Sequence, residues 1–337
     1  MATCIYRKPY GKTFTFQYES GETVRNASLK RWVKSLAIPL AWQEVEINTD
    51  RNAKVLATGR DVQGRKQYIY NPDWAAEAAE RKFQRILRFG EQLETMRRVT
   101  AQHINQRPVN ADAVLAGMVR MMDEAFFRPG SQRYIEKNQS HGLTTLRNRH
   151  MTIEGDAVIF EYRGKSGQEQ RRIIEDDAVC DLLYELEEMT GYELFDVTLP
   201  DGERQKFTSS DLNEYIGRIM GEDFTSKDFR TWAGTLLMAV ALAEAGPQDE
   251  EKLTNSEVVR AVKNVAERLG NTPAICRESY IHPAVIKAYE EGRTIGNFRK
   301  QLEHKQGATN RKYENRKDEQ ALLSDDEKAT LRLLQSL

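Results

Sequence analysis

The apolar residues of this chain change their period near residue 73, and that change limits the folds open to it. Before it, Thr13 to Tyr18 (TFTFQY) alternates as a strand with one buried face does, and Gln67 to Tyr70 alternates again. Glu44 to Ile47 and Val55 to Thr58 are further short strand candidates, and Gly59 to Gln67 sets two glycines among charges as an exposed turn would. After it the spacing is helical. Val114, Leu115, Met118, Val119 and Met122 recur at i, i+3, i+4 behind Asn110, a capping residue. Val179, Leu182, Leu183, Leu186 and Met189 form a second stripe. Leu212, Tyr215, Ile216 and Ile219 form a third, with Ser209 or Ser210 as the expected cap and Gly221 as the stop. Val258, Val262, Val265 and Leu269 form a fourth, expected to start at the Thr254-x-x-Glu257 capping box and to end at Gly270.

Residues 151–174 interrupt the helices. Met151 to Glu154, Ala157 to Tyr162 and Arg171 to Ile174 read as a small meander, with turns at Gly155-Asp156 and at Arg163 to Gly167. The expected fold is therefore α+β. A small β-rich N-terminal domain occupies residues 1–90, and a mainly helical domain carrying one inserted sheet occupies 91–298. A charged tail occupies 299–337, in which Ser324-x-x-Glu327 caps a short last helix.

Composition excludes several classes. Hydrophobic residues make up 39% and charged residues 30%, which suits a soluble globular chain with a sizeable core. No run reaches the roughly 18 apolar residues of a membrane span, and Trp232 to Ala243 reads as a buried helix. Met1 to Tyr10 lacks the apolar centre of a signal peptide. Cys4, Cys180 and Cys276 form no CxxC pair, the five histidines form no HExxH, and there is no phosphate-binding glycine loop, so neither metal nor nucleotide cofactor is expected. A reducing, cytoplasmic setting follows. The net charge is −1, but residues 1–100 carry an excess of seven cations and the remainder an excess of eight anions.

Three stretches concentrate chemistry: KDFRTWAGT (227–235), NTPAICRESYIHP (271–283), and SLAIPLAW (35–42) followed by ATGRD (57–61) and GRKQYIY (64–70). Together, and in this order, they closely resemble the type IB DNA topoisomerases of the bacterial and poxvirus branch, from about residue 24 to about residue 292. The resemblance implies a tyrosine recombinase/topoisomerase IB-like catalytic domain. It also implies a reaction on double-stranded DNA: a tyrosine attacks a backbone phosphate, the 5′ oxygen leaves, the strand rotates about a 3′-phosphotyrosyl linkage and is resealed. One phosphodiester replaces another, so ATP and metal are not needed.

By the same resemblance Tyr280, in SYIHP, matches the nucleophile. A phenol keeps its proton at neutral pH and needs help to attack; taken alone, this one reads as a half-buried tyrosine ahead of a helix starting near His282-Pro283, and the surrounding motif reverses that reading. Arg230, in KDFRTW, and Arg128, in FFRPG, match two phosphate-binding arginines, with GLTTLRNRH (142–150) supporting the second placement. Guanidinium offers paired donors to the oxygens of a crowded phosphorus and stays charged. Lys165, in YRGKSG, matches the general acid at a predicted hairpin tip, although by spacing alone it reads as an ordinary charged turn. Arg163, two residues earlier, is the competing assignment. Asn271 stands where many relatives carry histidine; its amide can donate to a phosphate oxygen but is neither a charged donor nor a base.

Arg60, Arg65, Lys66, Gln67, Tyr68 and Tyr70 combine cations, an amide and flat rings, a mixture suited to a duplex groove, with Tyr68 and Tyr70 on one strand face. In the family this segment meets the duplex from the face opposite the catalytic domain. Arg133, Tyr134 and Lys227 are expected helpers. Asp228 is expected to orient a neighbour, and Ser209, Ser210 and Asn213 to cap before they contact phosphate. A monomer, associated with the chromosome, is expected. A site-specific tyrosine recombinase and a DNA-binding relative without catalysis are the alternatives. The GRKQY segment favours the topoisomerase over the first, and the full set Arg128, Lys165, Arg230 and Tyr280 speaks against the second.

Overall fold

The computed structural model describes residues 4–11, 13–189, 191–200, 202–221, 223–300 and 322–337. The chain forms two compact units, 1–84 and 85–337. The first is built on an antiparallel sheet of β1 (Cys4–Tyr10), β2 (Thr13–Tyr18), β3 (Gln43–Asn48), β4 (Val55–Arg60) and β5 (Lys66–Tyr70), in the order β2-β1-β3-β4-β5. Ile5, Val45, Ile47 and Ala57 of the sheet bury with Val24 and with Val33 of helix α1 (Ala27–Ser35). That helix was not expected within a β-rich segment. Its nine residues bury only Val33 fully, so its apolar stripe is weak, and its start rests on Asn26 accepting from Leu29 N at 3.0 Å. Strand β1 was also missed. It contains Pro9, but its pairing with β3 covers only Cys4 to Tyr6, so Pro9 lies where one flank is free and no donor is needed.

Asn71 starts α2 (Pro72–Ile104), whose later part enters the second unit. There α3 (Ala111–Ala125), α5 (Asp177–Met189), α6 (Ser209–Met220) and α7 (Ser226–Ala245) pack around one apolar core, joined by α8 (Glu251–Leu269), α9 (Pro273–Ser279) and α10 (Pro283–Glu290). The inserted meander is β6 (Met151–Glu154), β7 (Ala157–Arg163) and β8 (Glu169–Ile174), antiparallel throughout, and β9 (Asp196–Thr198) and β10 (Arg204–Lys206) form a separate ribbon. A short α4 (Gln132–Asn138) projects before the meander.

Two expected helix starts are corrected. Helix α8 begins at Glu251, so Thr254 is inside it, with its hydroxyl on the Glu250 carbonyl at 3.1 Å rather than capping. The cap of α6 is Thr208, whose hydroxyl accepts from Ser210 N and Asp211 N, and not Ser209 or Ser210. Asn213 instead accepts from Ser226 N at 2.9 Å, joining α6 to the start of α7. The caps at Asn110, Gly221 and Gly270 lie where the pattern placed them.

Most of the charged segment after residue 299 lies outside the described residues. Beyond it, Ser324 caps α11 (Asp325–Gln335), and Glu327 of that helix is buried in a network with Arg97 and Asp123. Leu331 and Trp232 close over Gly90, where a Cβ would stand 2.8 Å from Leu331 and 2.5 Å from Trp232. The end of the chain is thus packed into the second unit.

Candidate active site

The site is assembled on the C-terminal end of α8. The last carbonyls of a helix lack internal partners and carry the negative end of its dipole. Gly270 ends α8 with a left-handed φ of 62°, which turns Asn271 N back onto Ala266 O at 2.8 Å. The carbonyls left over are taken by arginines from three other elements. Arg172 of β8 donates to Arg268 O at 2.8 Å, Arg230 of α7 to Leu269 O at 2.6 Å, and Arg128 to Gly270 O at 2.5 Å. Arg128 also donates to Asn271 Oδ1 at 2.7 Å, and Arg230 to Phe126 O at 2.7 Å.

Local sequence explains these placements. Helix α3 stops at Phe126 in a left-handed turn (φ 59°), which releases FFRPG as a loop. That loop is fastened to GLTT by Leu143 N on Arg128 O at 2.7 Å and Thr144 N on Pro129 O at 2.8 Å. Arg230 sits in the first turns of α7, whose start is held by Asp228: its carboxylate accepts from Thr225 and pairs with Arg85 at 2.8 Å. Asp228 is therefore a structural partner.

The cluster has donors to spare. Arg230 is only 2% exposed, yet its Nε, Arg172 Nε and Asn271 Nδ2 are buried without a hydrogen-bond partner. Arg128, Arg172 and Arg230 bind carbonyl and amide oxygens, and none forms an ion pair with a carboxylate among the described residues. Burial, and after it the neighbouring charge of Arg128, pull Arg230 below the usual guanidinium range; burial does the same to Arg128. Buried cations without counter-charge are costly, so the arrangement favours an anion between them.

Tyr280 borders this cluster. It caps α9, and its ring centroid lies 5.2 Å from Arg230 Cζ. Thr235 holds the strand of chain that follows, accepting from His282 N at 3.1 Å. Tyr162 is the other phenol near the arginines. It is buried and stacked on Phe127 at 6.0 Å, and burial raises its pKa. Lys165 is exposed in the tight turn joining β7 to β8, with Ser166 at φ 61°. The Arg163 guanidinium folds against Gly167 across that turn.

The structure therefore brings Arg128, Arg230, Asn271 and Tyr280 to one place and adds Arg172 and Tyr162, which sequence reading did not single out. In EQRRII two adjacent cations face opposite sides of a strand, and only the register, with Arg172 opposite Phe160, says which one faces the site. An open cleft of about 600 Å³ lies beside the meander, lined in part by His141, Arg147, Arg149 and Arg163.

The expected DNA-contact residues are placed as follows. In the first unit Tyr68 and Tyr70 stack at 5.8 Å on one face of β5, and Tyr70 stacks on Trp74 at 5.3 Å. Lys66 lies over Tyr68. Arg60 pairs with Glu44 at 2.7 Å, while Arg65 pairs with Asp61 at 2.7 Å and Gln67 donates to the same carboxylate. In the second unit Arg133 and Tyr134 are exposed on α4, and Lys227 is exposed at the start of α7. Among the described residues no helix is long and apolar enough to cross a membrane, and no group of three or more His, Cys, Asp or Glu could hold a metal ion.

Residues 71–309 match the family described as "Eukaryotic DNA topoisomerase I, catalytic core", and residues 13–61 match "Bacterial DNA topoisomerase IB, N-terminal domain". The "DNA topoisomerase 1B" of Acanthamoeba polyphaga mimivirus is 30% identical over 294 residues, 85% of this chain and 87% of that protein. The "DNA topoisomerase 1B" of Vaccinia virus (strain Copenhagen) is 22% identical over 248 residues, 71% of this chain and 73% of its own, as is the Monkeypox virus "DNA topoisomerase I". With both parts of the chain matched and the mimivirus protein aligned along most of its length, the chain belongs to the type IB DNA topoisomerase family, on its poxvirus-like branch.

Proposed function

We propose that this chain relaxes supercoiled duplex DNA by transient cleavage of one strand, with Tyr280 as the nucleophile. The observation that carries the residue assignment is the pair of unpartnered donors, Arg230 Nε and Asn271 Nδ2, in a cluster of arginines that pairs with no carboxylate among the described residues. A phosphodiester supplies the missing charge. Arg128 and Arg230 receive its non-bridging oxygens, which gain charge as the phosphorus becomes five-coordinate, and the free Asn271 amide adds a neutral donor. The phenol oxygen of Tyr280 bonds to phosphorus as its proton passes to solvent water. The bond to the 5′ oxygen breaks, and Lys165 protonates that oxygen. The free end rotates, and the reverse step expels Tyr280 and reseals the strand.

Arg60, Arg65, Lys66, Gln67, Tyr68 and Tyr70 of the first unit, with Arg133, Tyr134 and Lys227 of the second, are the proposed duplex contacts. Cations position the backbone, and the amide and rings meet base edges. We also propose that the enzyme works as a monomer and that its catalytic unit shares the tyrosine recombinase layout.

Supercoiled plasmid incubated without nucleotide or divalent ion should become relaxed, and denaturant added during the reaction should trap protein on the 3′ end of a nicked strand. Tyr280→Phe should abolish both. Adduct formation that persists in Tyr280→Phe would overturn the assignment.

A further inference from the structure

The proposed general acid sits on a turn between two strands, while the phosphate-binding groups sit at the end of a helix. Proton transfer needs these two parts held in fixed register. Two side chains of β8 span the interval. Gln170 is buried, and its side chain fills the space over two glycines. A Cβ on Gly164 would lie 2.7 Å from Gln170 Cγ, and a Cβ on Gly270 would lie 2.8 Å from Gln170 Oε1. Gly164 immediately precedes Lys165, and Gly270 immediately precedes Asn271. Gln170 is thus wedged between the turn that carries the acid and the helix end that carries the phosphate donors.

Arg172 fastens the wedge. One Nη donates to Gln170 Oε1 at 2.8 Å and the other to Arg268 O, also at 2.8 Å, so one guanidinium joins the strand's own side chain to the end of α8. Gln170 Nε2 donates to Glu169 O at 3.1 Å, which fixes the amide's orientation. Gly164 N on Gln168 O at 2.8 Å closes the turn above it. Both Nη atoms of Arg172 are committed to protein, one of them to Gln170 itself.

We propose that Gln170 and Arg172 are positioning residues that hold the Lys165 turn against the phosphate-binding end of α8, so that weakening them impairs protonation of the leaving 5′ oxygen and leaves phosphate binding intact. This rests on the reading of Lys165 as the general acid, and the experiment tests that reading separately. A 5′ oxygen needs a proton to leave, whereas a sulfur in the same bridging position leaves as thiolate without one, because thiols ionise near pH 8.5. In each case the P–O bond to Tyr280 forms as the bond to the 5′ atom breaks.

Single-turnover cleavage would be measured on duplexes carrying either 5′-bridging oxygen or 5′-bridging sulfur. The proteins are the wild type, Lys165→Ala, Gln170→Ala, Gln170→Asn, Arg172→Ala and Arg230→Ala. General acids contribute on the order of 10²–10⁴-fold, so Lys165→Ala should lose that much on oxygen and recover on sulfur. Gln170→Ala and Arg172→Ala should lose about 10-fold or more on oxygen and return to within about 3-fold of wild type on sulfur. Arg230→Ala should remain slow on both. Gln170→Asn keeps the amide but shortens the wedge by one methylene, and it carries the same comparison where an alanine variant does not fold. If Lys165→Ala is not rescued by sulfur, the general-acid reading fails. If Lys165→Ala is rescued but the Gln170 and Arg172 variants are equally slow on both substrates, or match wild type on oxygen, the positioning role is overturned.

Discussion

Gly234 lies on the face of α7 that backs Tyr280, and a Cβ there would stand 2.6 Å from Tyr280 O and 3.0 Å from Tyr280 Cβ. No flexible side chain can give way at that point, because the neighbour is backbone. Gly234→Ala is expected to cost about 1–3 kcal/mol by overpacking, and to push the phenol out of line with the arginines. A displacement of about 1 Å can lower a rate on the order of 10²-fold. Cleavage should therefore fall by that order while the melting temperature drops only a few degrees. Wild-type cleavage by a folded Gly234→Ala protein would contradict the placement. KDFRTWAGT displays this glycine openly, but its reason is not in the string, since Tyr280 is 46 positions away. Tyr280, Arg128, Arg230 and Asn271 could be named from local motifs, whereas Gln170, Arg172 and Tyr162 could not. Their significance comes from strand register and from which carbonyls end α8, and neither is a property of short sequence windows.

Among the elements, the turn Asn148–His150 that leads into β6 depends on a protonation state. His150 Nδ1 accepts from Arg147 N at 3.2 Å, and the ring meets His141 edge-on at 4.6 Å. Burial, then His141, Arg149 and Arg147, lower the His150 pKa from 6.5 to about 4. Because the folded pKa is depressed, the unfolded chain binds the proton first. Stability should therefore fall as pH drops from about 6.5 towards about 4, on the order of 1–2 kcal/mol once solvent screening of this half-exposed ring is allowed for. His150→Asn keeps an acceptor for Arg147 N and removes the titration, so thermal melts from pH 6.5 to 5 should decline less steeply than in wild type. Equal slopes would show that this ring does not control the acid limb. Elements were readable where one face is plainly buried, as in α3, α5 and the β6–β7 hairpin, and were lost where it is not. Helix α1 offers a single fully buried residue, and the Thr254 signature is imitated by a helix that had already begun.

Across the whole molecule, a net charge of −1 hides a division of labour. Residues 1–84 hold 14 Lys+Arg against 9 Asp+Glu, leaving the second unit with an excess of six anions. Affinity for DNA must then come from local groups rather than from overall attraction. Of the proposed contacts, Arg60, Arg65, Lys66, Arg133 and Lys227 are cationic. The Arg60–Glu44 pair is exposed on both sides, and exposed pairs contribute at most about 1 kcal/mol, so a phosphate can displace Glu44; the Arg65 guanidinium is exposed as well, although its partner Asp61 is not. Each neutralised phosphate adds about 0.9 to the salt slope of duplex binding. Five such contacts predict a slope near −4.5 in log–log form, about a 500-fold loss of affinity between 50 and 200 mM salt. Measured with Tyr280→Phe, so that binding is not mixed with cleavage, Lys66→Ala should flatten that slope by about one unit. It should also weaken different duplex sequences alike, because a phosphate contact carries no base information. A slope shallower than about −2, or one that Lys66→Ala leaves unchanged, would remove the exposed face of β5 from the DNA interface and return the binding role to the second unit alone.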